Sequence, residues 1–250
     1  MHDRLDVKET WEIAQITISI LQKAQLVPFL FGSVAGKTYG LSRNPNDVDI
    51  VVLTRTHTTA QLKALLVEAD SRFYLIRSGD PFATHKILWF RVGELPSNSE
   101  GGLRGFSRKC KVDVLIPGDL GIPYMDGQLI VHRMVTSVPL GRRTGQSDVL
   151  QQPLPVMPLL HLLCFKVQGW FDHRESNKEH FQTRHPADAK DICEMLQFAC
   201  THPELVRSMR ASDSSTELDT LRKGSTGLVL EFIEYFPDTG IQWRQLGFAV

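Results

Sequence analysis

Two short stretches decide the fold of this 250-residue chain: Phe31-Gly32-Ser33 and, after thirteen intervening residues, Asp47-Val48-Asp49-Ile50. The apolar run 27–31 predicts a buried strand that ends at the Gly-Ser pair. Glycine lets the backbone come close to a ligand, and the first free N–H groups of a following helix bind phosphate oxygens. Because Ser33 adds a hydroxyl, this turn is typical of a phosphate-binding site.

The second stretch opens a strand predicted over 48–53, with two aspartates on one of its faces. Residues two apart along a strand point the same way, so Asp47 and Asp49 are expected to project together, away from the core. Neighbouring carboxylates repel one another unless a cation lies between them, and Mg²⁺ takes oxygen ligands of this kind. A D-x-D pair by itself also fits a solvated strand end.

A third carboxylate, Asp113, interrupts the apolar residues of a strand predicted over 112–116. Burying a lone carboxylate is costly unless it is paired or bound to a metal. Two interpretations therefore stay open for this residue: a metal ligand, or one half of an ion pair with Lys109 or Lys111.

Together these motifs resemble the signature of the DNA polymerase β-like nucleotidyltransferase superfamily. That signature is hydrophobic-Gly-Ser, then Asp-hydrophobic-Asp-hydrophobic, then a later hydrophobic-Asp-hydrophobic strand. Here it reads Phe31-Gly32-Ser33, Asp47-Val48-Asp49-Ile50 and Val112-Asp113-Val114, within residues 27–116. The resemblance implies an α+β fold in which a mixed-sheet, palm-type domain precedes a helical region.

The resemblance further implies two-metal transfer of a nucleoside monophosphate from a nucleoside triphosphate such as ATP, with release of pyrophosphate. Asp47 and Asp49 would bind both Mg²⁺ ions, for which Mn²⁺ could substitute. Asp113 would bind the second ion and act as general base towards an acceptor hydroxyl. Gly32 and Ser33 would hold the β- and γ-phosphates. Two ions about 3.5–4 Å apart stabilise the attacking and leaving oxygens of such a displacement.

Lys37 and Arg43 lie in the loop between the first two motifs and are further candidates for nucleotide binding. Both fit ordinary solvated loop charges equally well. The insertion 36–40 lengthens this segment, so the helix after Ser33 is expected to be short or displaced. That length puts the roles of the two cations in doubt, but not those of the carboxylates.

Lys166 is a last candidate for nucleotide binding. It precedes Asp188 and Asp191 on the next predicted helix. This spacing resembles the Lys…Asp-x-x-Asp pattern of small bacterial-type members of the superfamily.

The chain is expected to fall into three parts: a nucleotidyltransferase core over 1–118, a connecting region over 119–155 and a helical domain over 156–250. The connecting region is rich in Gly and Pro and shows little periodicity. Further predicted elements are helices over 8–25 and 58–69, strands over 73–77 and 87–92, and helices after Pro158, after Pro186 and near 215–235.

Composition sets broad limits on the partners. The chain has 28 basic residues (lysine and arginine) and 28 acidic residues (aspartate and glutamate). Because the net charge is zero, no overall electrostatic attraction favours nucleic acid or an anionic membrane. A local basic stripe could still bind RNA. No stretch reaches the roughly 18 apolar residues of a membrane helix, and the N-terminus does not read as a signal peptide. The four cysteines form no C-x-x-C pair, which favours reduced core thiols in a cytoplasmic protein.

Three roles stay open for the chain. The first is an enzyme that modifies a hydroxyl of a small molecule, an RNA end or a protein. The second is a catalytically silent binding module of the same fold, and the third is an antitoxin-like role in which the helical half binds a protein partner. All three carboxylates are present, which favours the enzyme. The sequence does not identify the acceptor.

Overall fold

Short strands and helices alternate through the first part of the chain, and helices fill the second. The computed structural model describes residues 5–79, 84–92, 108–137, 150–211 and 216–250. The first part contains α1 (Val7–Lys23), β1 (Val27–Phe31), α2 (Gly32–Thr38), β2 (Asp47–Leu53), α3 (Thr59–Ala69), β3 (Phe73–Arg77), β4 (Lys86–Val92), β5 (Arg108–Leu115), β6 (Val131–Ser137) and β7 (Leu150–Val156). The second part contains α4 (Leu159–Arg174), α5 (Glu179–Gln182), α6 (His185–Thr201), α7 (Pro203–Ala211), α8 (Thr216–Tyr235) and α9 (Gly240–Gln245).

The chain divides into two compact units, and each unit consists of two separate segments of the sequence. The first unit contains Met1–Thr38 and Arg43–Met157, and the second contains Tyr39–Ser42 and Pro158–Val250. The segment Tyr39–Ser42 lies between the Gly-Ser turn and the Asp-x-Asp strand in sequence. It nevertheless belongs to the helical unit.

The strands of the first unit form one mixed sheet of seven strands in the order β3-β4-β5-β2-β1-β7-β6. Strand β2 pairs antiparallel with β1 and parallel with β5, so the two strands that carry aspartates lie side by side. The predicted α+β class, with a mixed sheet followed by a helical region, is confirmed. The strand predicted over 112–116 begins earlier, at Arg108.

Strands β6 and β7 correct the prediction of a connecting region over 119–155. They pair with each other along their whole length and form one edge of the sheet. Strand β7 carries Pro153 and Pro155, and proline lacks the N–H that a strand ladder uses. In β6, Ser137 is buried while Met134 is exposed. Both features remove the apolar alternation by which a strand is recognised in sequence.

One face of the sheet forms the core of the first unit. Val48 and Ile50 on β2, and Val112 on β5, are fully buried. Glu9 of α1 forms an ion pair with Arg108, which has the same parity along β5 as Val112. Helix α1 therefore covers the buried face, and the aspartates of β2 and β5, which have the opposite parity, project from the other face.

The helical unit is built around α4, which packs against α6 and α8. Trp170 of α4 is buried and contacts Phe232 of α8 edge-on, with ring centroids 5.0 Å apart. Aromatic pairs of this geometry add to the stabilisation from burial alone.

Hydrogen bonds and ring packing explain why Tyr39–Ser42 belongs to the helical unit. Ser42 donates from its backbone N and its Oγ to the two carboxylate oxygens of Glu194, at 2.8 and 2.6 Å. Tyr39 packs edge-on against Phe198 of the same helix, α6. Burial acts to raise the pKa of Glu194, but the hydrogen bonds from Ser42 outweigh it and the pKa is lowered.

Within the described ranges, no helix is both long and apolar enough to cross a membrane. The four cysteines are free, and Cys110 and Cys164 are buried. Burial raises the pKa of Cys164 to about 11, so this thiol stays protonated at neutral pH. The cytoplasmic location remains a prediction.

His161 of α4 makes the stability of the helical unit depend on pH. Its side chain is 2% exposed, and the nearest carboxylate oxygen, on Glu217, lies 3.7 Å from Nε2. Burial lowers the pKa of His161 to about 4, whereas an unfolded histidine titrates near pH 6.5. Between about pH 6.5 and about pH 4, His161 is therefore protonated in the unfolded chain but neutral in the folded chain. The free energy of unfolding falls as the pH drops through this range.

We expect this group to remove about 3 kcal/mol from the free energy of unfolding between about pH 7 and about pH 4. Urea denaturation across this range, for the native chain and for His161→Leu, measures the effect. Over this pH range, the free energy of unfolding of the variant should fall by about 3 kcal/mol less than that of the native chain, because leucine does not titrate. Parallel curves for the two proteins would show that His161 does not control the acid response.

Candidate active site

Asp47, Asp49 and Asp113 lie together on the open face of the sheet. One carboxylate oxygen from each lies within 4.8 Å of the others. Parallel pairing of β2 with β5 places Asp49 directly opposite Asp113, and strand alternation brings Asp47 to the same face. Three oxygen donors at this separation fit a hard divalent cation such as Mg²⁺.

The electrostatic effect of the three carboxylates is visible at Cys110, a buried residue of β5. Burial is the largest cause that raises the pKa of Cys110, and the negative charges of Asp47, Asp49 and Asp113 add to it, so that the pKa reaches about 12. The thiol is therefore protonated at neutral pH and is not a nucleophile. The same negative field attracts a cation to the carboxylates.

Asp113 also forms the ion pair that the sequence left open, with Lys111. Lys111 Nζ donates to Asp113 Oδ2 at 2.6 Å. The lysine and aspartate side chains are 37% and 29% exposed, and ion pairs with this much solvent contact contribute little net stability. Both interpretations of Asp113 are therefore compatible, because a weak pair with Lys111 leaves the carboxylate within the cluster.

Gly32 approaches Asp49 so closely that only glycine fits. A Cβ at this position would lie 2.2 Å from Asp49 Oδ2 and 3.0 Å from its Cγ. Gly32 also has a φ of 59°, which side chains of L-residues disfavour. The start of α2 is thereby placed against the carboxylates.

Ser33 and Arg43, both predicted to bind nucleotide, meet in the structure. Arg43 Nη2 donates to Ser33 Oγ at 2.5 Å, so a guanidinium charge lies at the Gly-Ser turn. Lys37 is half-exposed in the last turn of α2, a helix of seven residues. The helix after Ser33 is short, as expected from the insertion.

The end of α2 is held by a residue that the sequence analysis missed. Arg133 of β6 donates to the carbonyl oxygen of Thr38 at 3.2 Å. Arginines can satisfy the last carbonyls of a helix and interact favourably with its C-terminus. Arg133 lies in the region that was predicted to be a connection, so no motif pointed to it.

Lys166 lies in the helical unit, next to Asp191. Lys166 Nζ donates to Asp191 Oδ2 at 2.6 Å, and the two residues are 8% and 1% exposed. Asp188 instead lies 2.7 Å from Nδ1 of His173. Charges buried as deeply as those of Lys166 and Asp191 require a partner, and each is the partner of the other. The two aspartates of the Asp-x-x-Asp pattern therefore contact different residues, Asp191 the lysine and Asp188 the histidine. The role of Lys166 in nucleotide binding remains a prediction.

The contact between Gly32 and Asp49 can be tested with Gly32→Ala. The added methyl group would displace the Asp49 carboxylate, so we expect the affinity for Mn²⁺, measured by titration calorimetry, to fall about tenfold or more. Gly169→Ala in α4 is the matched control, since an added Cβ there meets no described atom within 4 Å. Equal Mn²⁺ affinity in native and Gly32→Ala proteins would contradict the proposed contact.

One similar solved structure is that of an antigenic nucleotidyltransferase-like protein from Paracoccidioides brasiliensis. The two share 14% identity at a TM-score of 0.58, over 95% of this chain and 94% of that one. Weaker similarity is found to antibiotic-resistance factor ANT(2'')-Ia, with 13% identity, coverage of 90% and 99%, and a TM-score of 0.37. The cyclic dinucleotide synthase CdnE of Elizabethkingia meningoseptica shares 17% identity over 81% of this chain and 62% of that one, with a TM-score of 0.28.

No protein-family model and no curated protein matches the sequence. The similarity to the Paracoccidioides protein and the strand order of the sheet show that the chain has the fold of the nucleotidyltransferase superfamily.

Proposed function

We propose that this chain is a metal-dependent nucleotidyltransferase, which moves a nucleoside monophosphate from a nucleoside triphosphate to an acceptor hydroxyl. The observation that carries the proposal is the cluster of Asp47, Asp49 and Asp113 with Gly32 pressed against it. A structural sheet face would not need three like charges and a glycine that admits no side chain at the same point.

The three carboxylates are the proposed ligands of divalent metal ions, either Mg²⁺ or Mn²⁺. Such ions would stabilise the attacking and the leaving oxygens of an in-line displacement. The donor set fits them, because carboxylate oxygens are the ligands that these hard cations prefer.

The Gly-Ser turn is the proposed site of the β- and γ-phosphates. The backbone N–H groups at the start of α2 and the hydroxyl of Ser33 would donate hydrogen bonds to the phosphate oxygens. Arg43, which already contacts Ser33, supplies the charge for a charge-assisted hydrogen bond to phosphate. Lys37 and Lys166 are further candidates from the sequence.

Asp113 is the proposed general base. Its carboxylate takes the proton of the acceptor hydroxyl while the acceptor oxygen bonds to the α-phosphorus. The bond from that phosphorus to the bridging oxygen breaks, and pyrophosphate leaves. Lys111 Nζ donates to Oδ2 of this carboxylate at 2.6 Å, which leaves Oδ1 to accept the proton.

A catalytically silent binding module is the second candidate. The ion pair of Lys111 with Asp113 favours it, because a neutralised Asp113 is a poorer metal ligand and base. The two candidates differ in one outcome: both bind a triphosphate, but only the enzyme releases pyrophosphate.

We expect the native chain to be stabilised by at least one ribonucleoside triphosphate in the presence of Mg²⁺. A ligand at about 100 times its dissociation constant adds roughly 2.7 kcal/mol to folding stability. Asp49→Ala should abolish this shift, and Asp238→Ala, which removes an exposed carboxylate in the helical unit, should leave it unchanged. A Mg²⁺-dependent shift that survives in Asp49→Ala would place the nucleotide elsewhere.

Asp113→Asn separates chemistry from binding. The amide cannot accept a proton, so we expect slow release of pyrophosphate, with water as acceptor, to fall about 100-fold or more. The Mg²⁺-dependent stabilisation by triphosphate should largely remain, since Asp47 and Asp49 are intact. Pyrophosphate release at the native rate would remove Asp113 from the mechanism. Absence of release from the native chain, with triphosphate binding intact, would favour the silent module.

A further inference from the structure

A row of aromatic and basic side chains crosses the sheet and ends at the carboxylates. Tyr74 of β3 pairs with Trp89 of β4, Trp89 pairs with Lys111 of β5, and Lys111 pairs with Asp47 of β2. Neighbouring strands lie about 4.8 Å apart, so the row spans about 14 Å. Residues paired across strands share a face of the sheet, and the row is therefore on the same face as the catalytic carboxylates.

Two further cations lie beside the row and contact its rings. Lys109 Nζ lies 4.6 Å from the centroid of the Trp89 ring, and Arg91 Cζ lies 5.0 Å from that of Tyr74. Arg91 and Lys109 are themselves paired across β4 and β5. The name aromatic–basic row is used below for these five residues: Tyr74, Trp89, Arg91, Lys109 and Lys111.

The aromatic–basic row lies on the face of the sheet opposite to the core. Leu88, Phe90 and Val112 alternate with the row along β4 and β5 and are fully buried. All five members of the row are half-buried or exposed. The apolar residues therefore account for the packing of these strands, and the rings and cations of the row are not needed for the core.

The chemistry of the row fits a single-stranded polynucleotide. Bases stack on aromatic rings irrespective of their identity, and cations beside the rings neutralise the phosphates of the backbone. A polycationic small molecule would be repelled by Arg91, Lys109 and Lys111. The balanced charge of the whole chain agrees with a short local contact instead of a long duplex footprint.

We propose that the aromatic–basic row binds the 3′ end of a single-stranded polynucleotide and presents its terminal hydroxyl to Asp113. This inference rests on the proposed nucleotidyl transfer and specifies its acceptor. The 3′ oxygen forms a bond to the α-phosphorus of the triphosphate, and its proton passes to Asp113. The bond to the bridging oxygen breaks, and its electron pair leaves with pyrophosphate. The product is a strand one nucleotide longer.

Fluorescence anisotropy with labelled oligoadenylate of about ten nucleotides tests the binding step. Trp89→Leu removes the π-face and should weaken binding about tenfold or more, whereas Trp89→Phe keeps a ring and should retain most of the affinity. Lys109→Ala should lower the slope of log affinity against log salt by about 0.7 between roughly 50 and 200 mM. Lys23→Ala, at the exposed end of α1, is the charge-matched control and should leave the slope unchanged.

Weakening in Trp89→Leu with recovery in Trp89→Phe supports the proposal. A ribose and a deoxyribose oligonucleotide, compared in parallel, then show whether the 2′-hydroxyl contributes. The proposal is overturned if neither oligonucleotide binds at about 50 mM salt, or if both bind all variants equally. Triphosphate binding with Mg²⁺, measured separately on the same proteins, distinguishes this failure from a failure of the proposed transferase function, since loss of the acceptor surface leaves that binding intact.

Discussion

The site depends on one constraint: three carboxylates that repel each other are held together by strand pairing. Parallel pairing of β2 with β5 places Asp49 opposite Asp113, and the buried valines and isoleucine between the aspartates fix which face they occupy. Like charges at this distance oppose one another by a few kcal/mol. The sheet sustains that cost through its core, and a bound cation would relieve it.

The same constraint explains the other features of the first unit. Gly32 must lack a side chain because Asp49 already fills that space, so the start of α2 lies against the carboxylates. Arg133 holds the other end of this short helix. On β5, Lys111 partly balances Asp113 and also belongs to the aromatic–basic row. One strand order places the Gly-Ser turn on one side of the carboxylates and the aromatic–basic row on the other.

The central strands and the convergence of the carboxylates could be predicted because period-two alternation is a local property of the sequence. Strands β6 and β7 could not, since Pro153 and Pro155 interrupt one and polar Ser137 is buried in the other. The assignment of Tyr39–Ser42 to the helical unit depends on Glu194, more than a hundred positions away in sequence. The aromatic–basic row likewise depends on the register of three strands, which no single stretch of sequence specifies.

The proposed metal and triphosphate site is tested most directly by a crystal structure with Mn²⁺ and a non-hydrolysable nucleoside triphosphate, in which anomalous scattering locates the metal. The proposed site predicts anomalous peaks coordinated by Asp47, Asp49 and Asp113, with the β- and γ-phosphates at Gly32 and Ser33. Nucleotide bound elsewhere, with no anomalous signal among the three carboxylates, would contradict it.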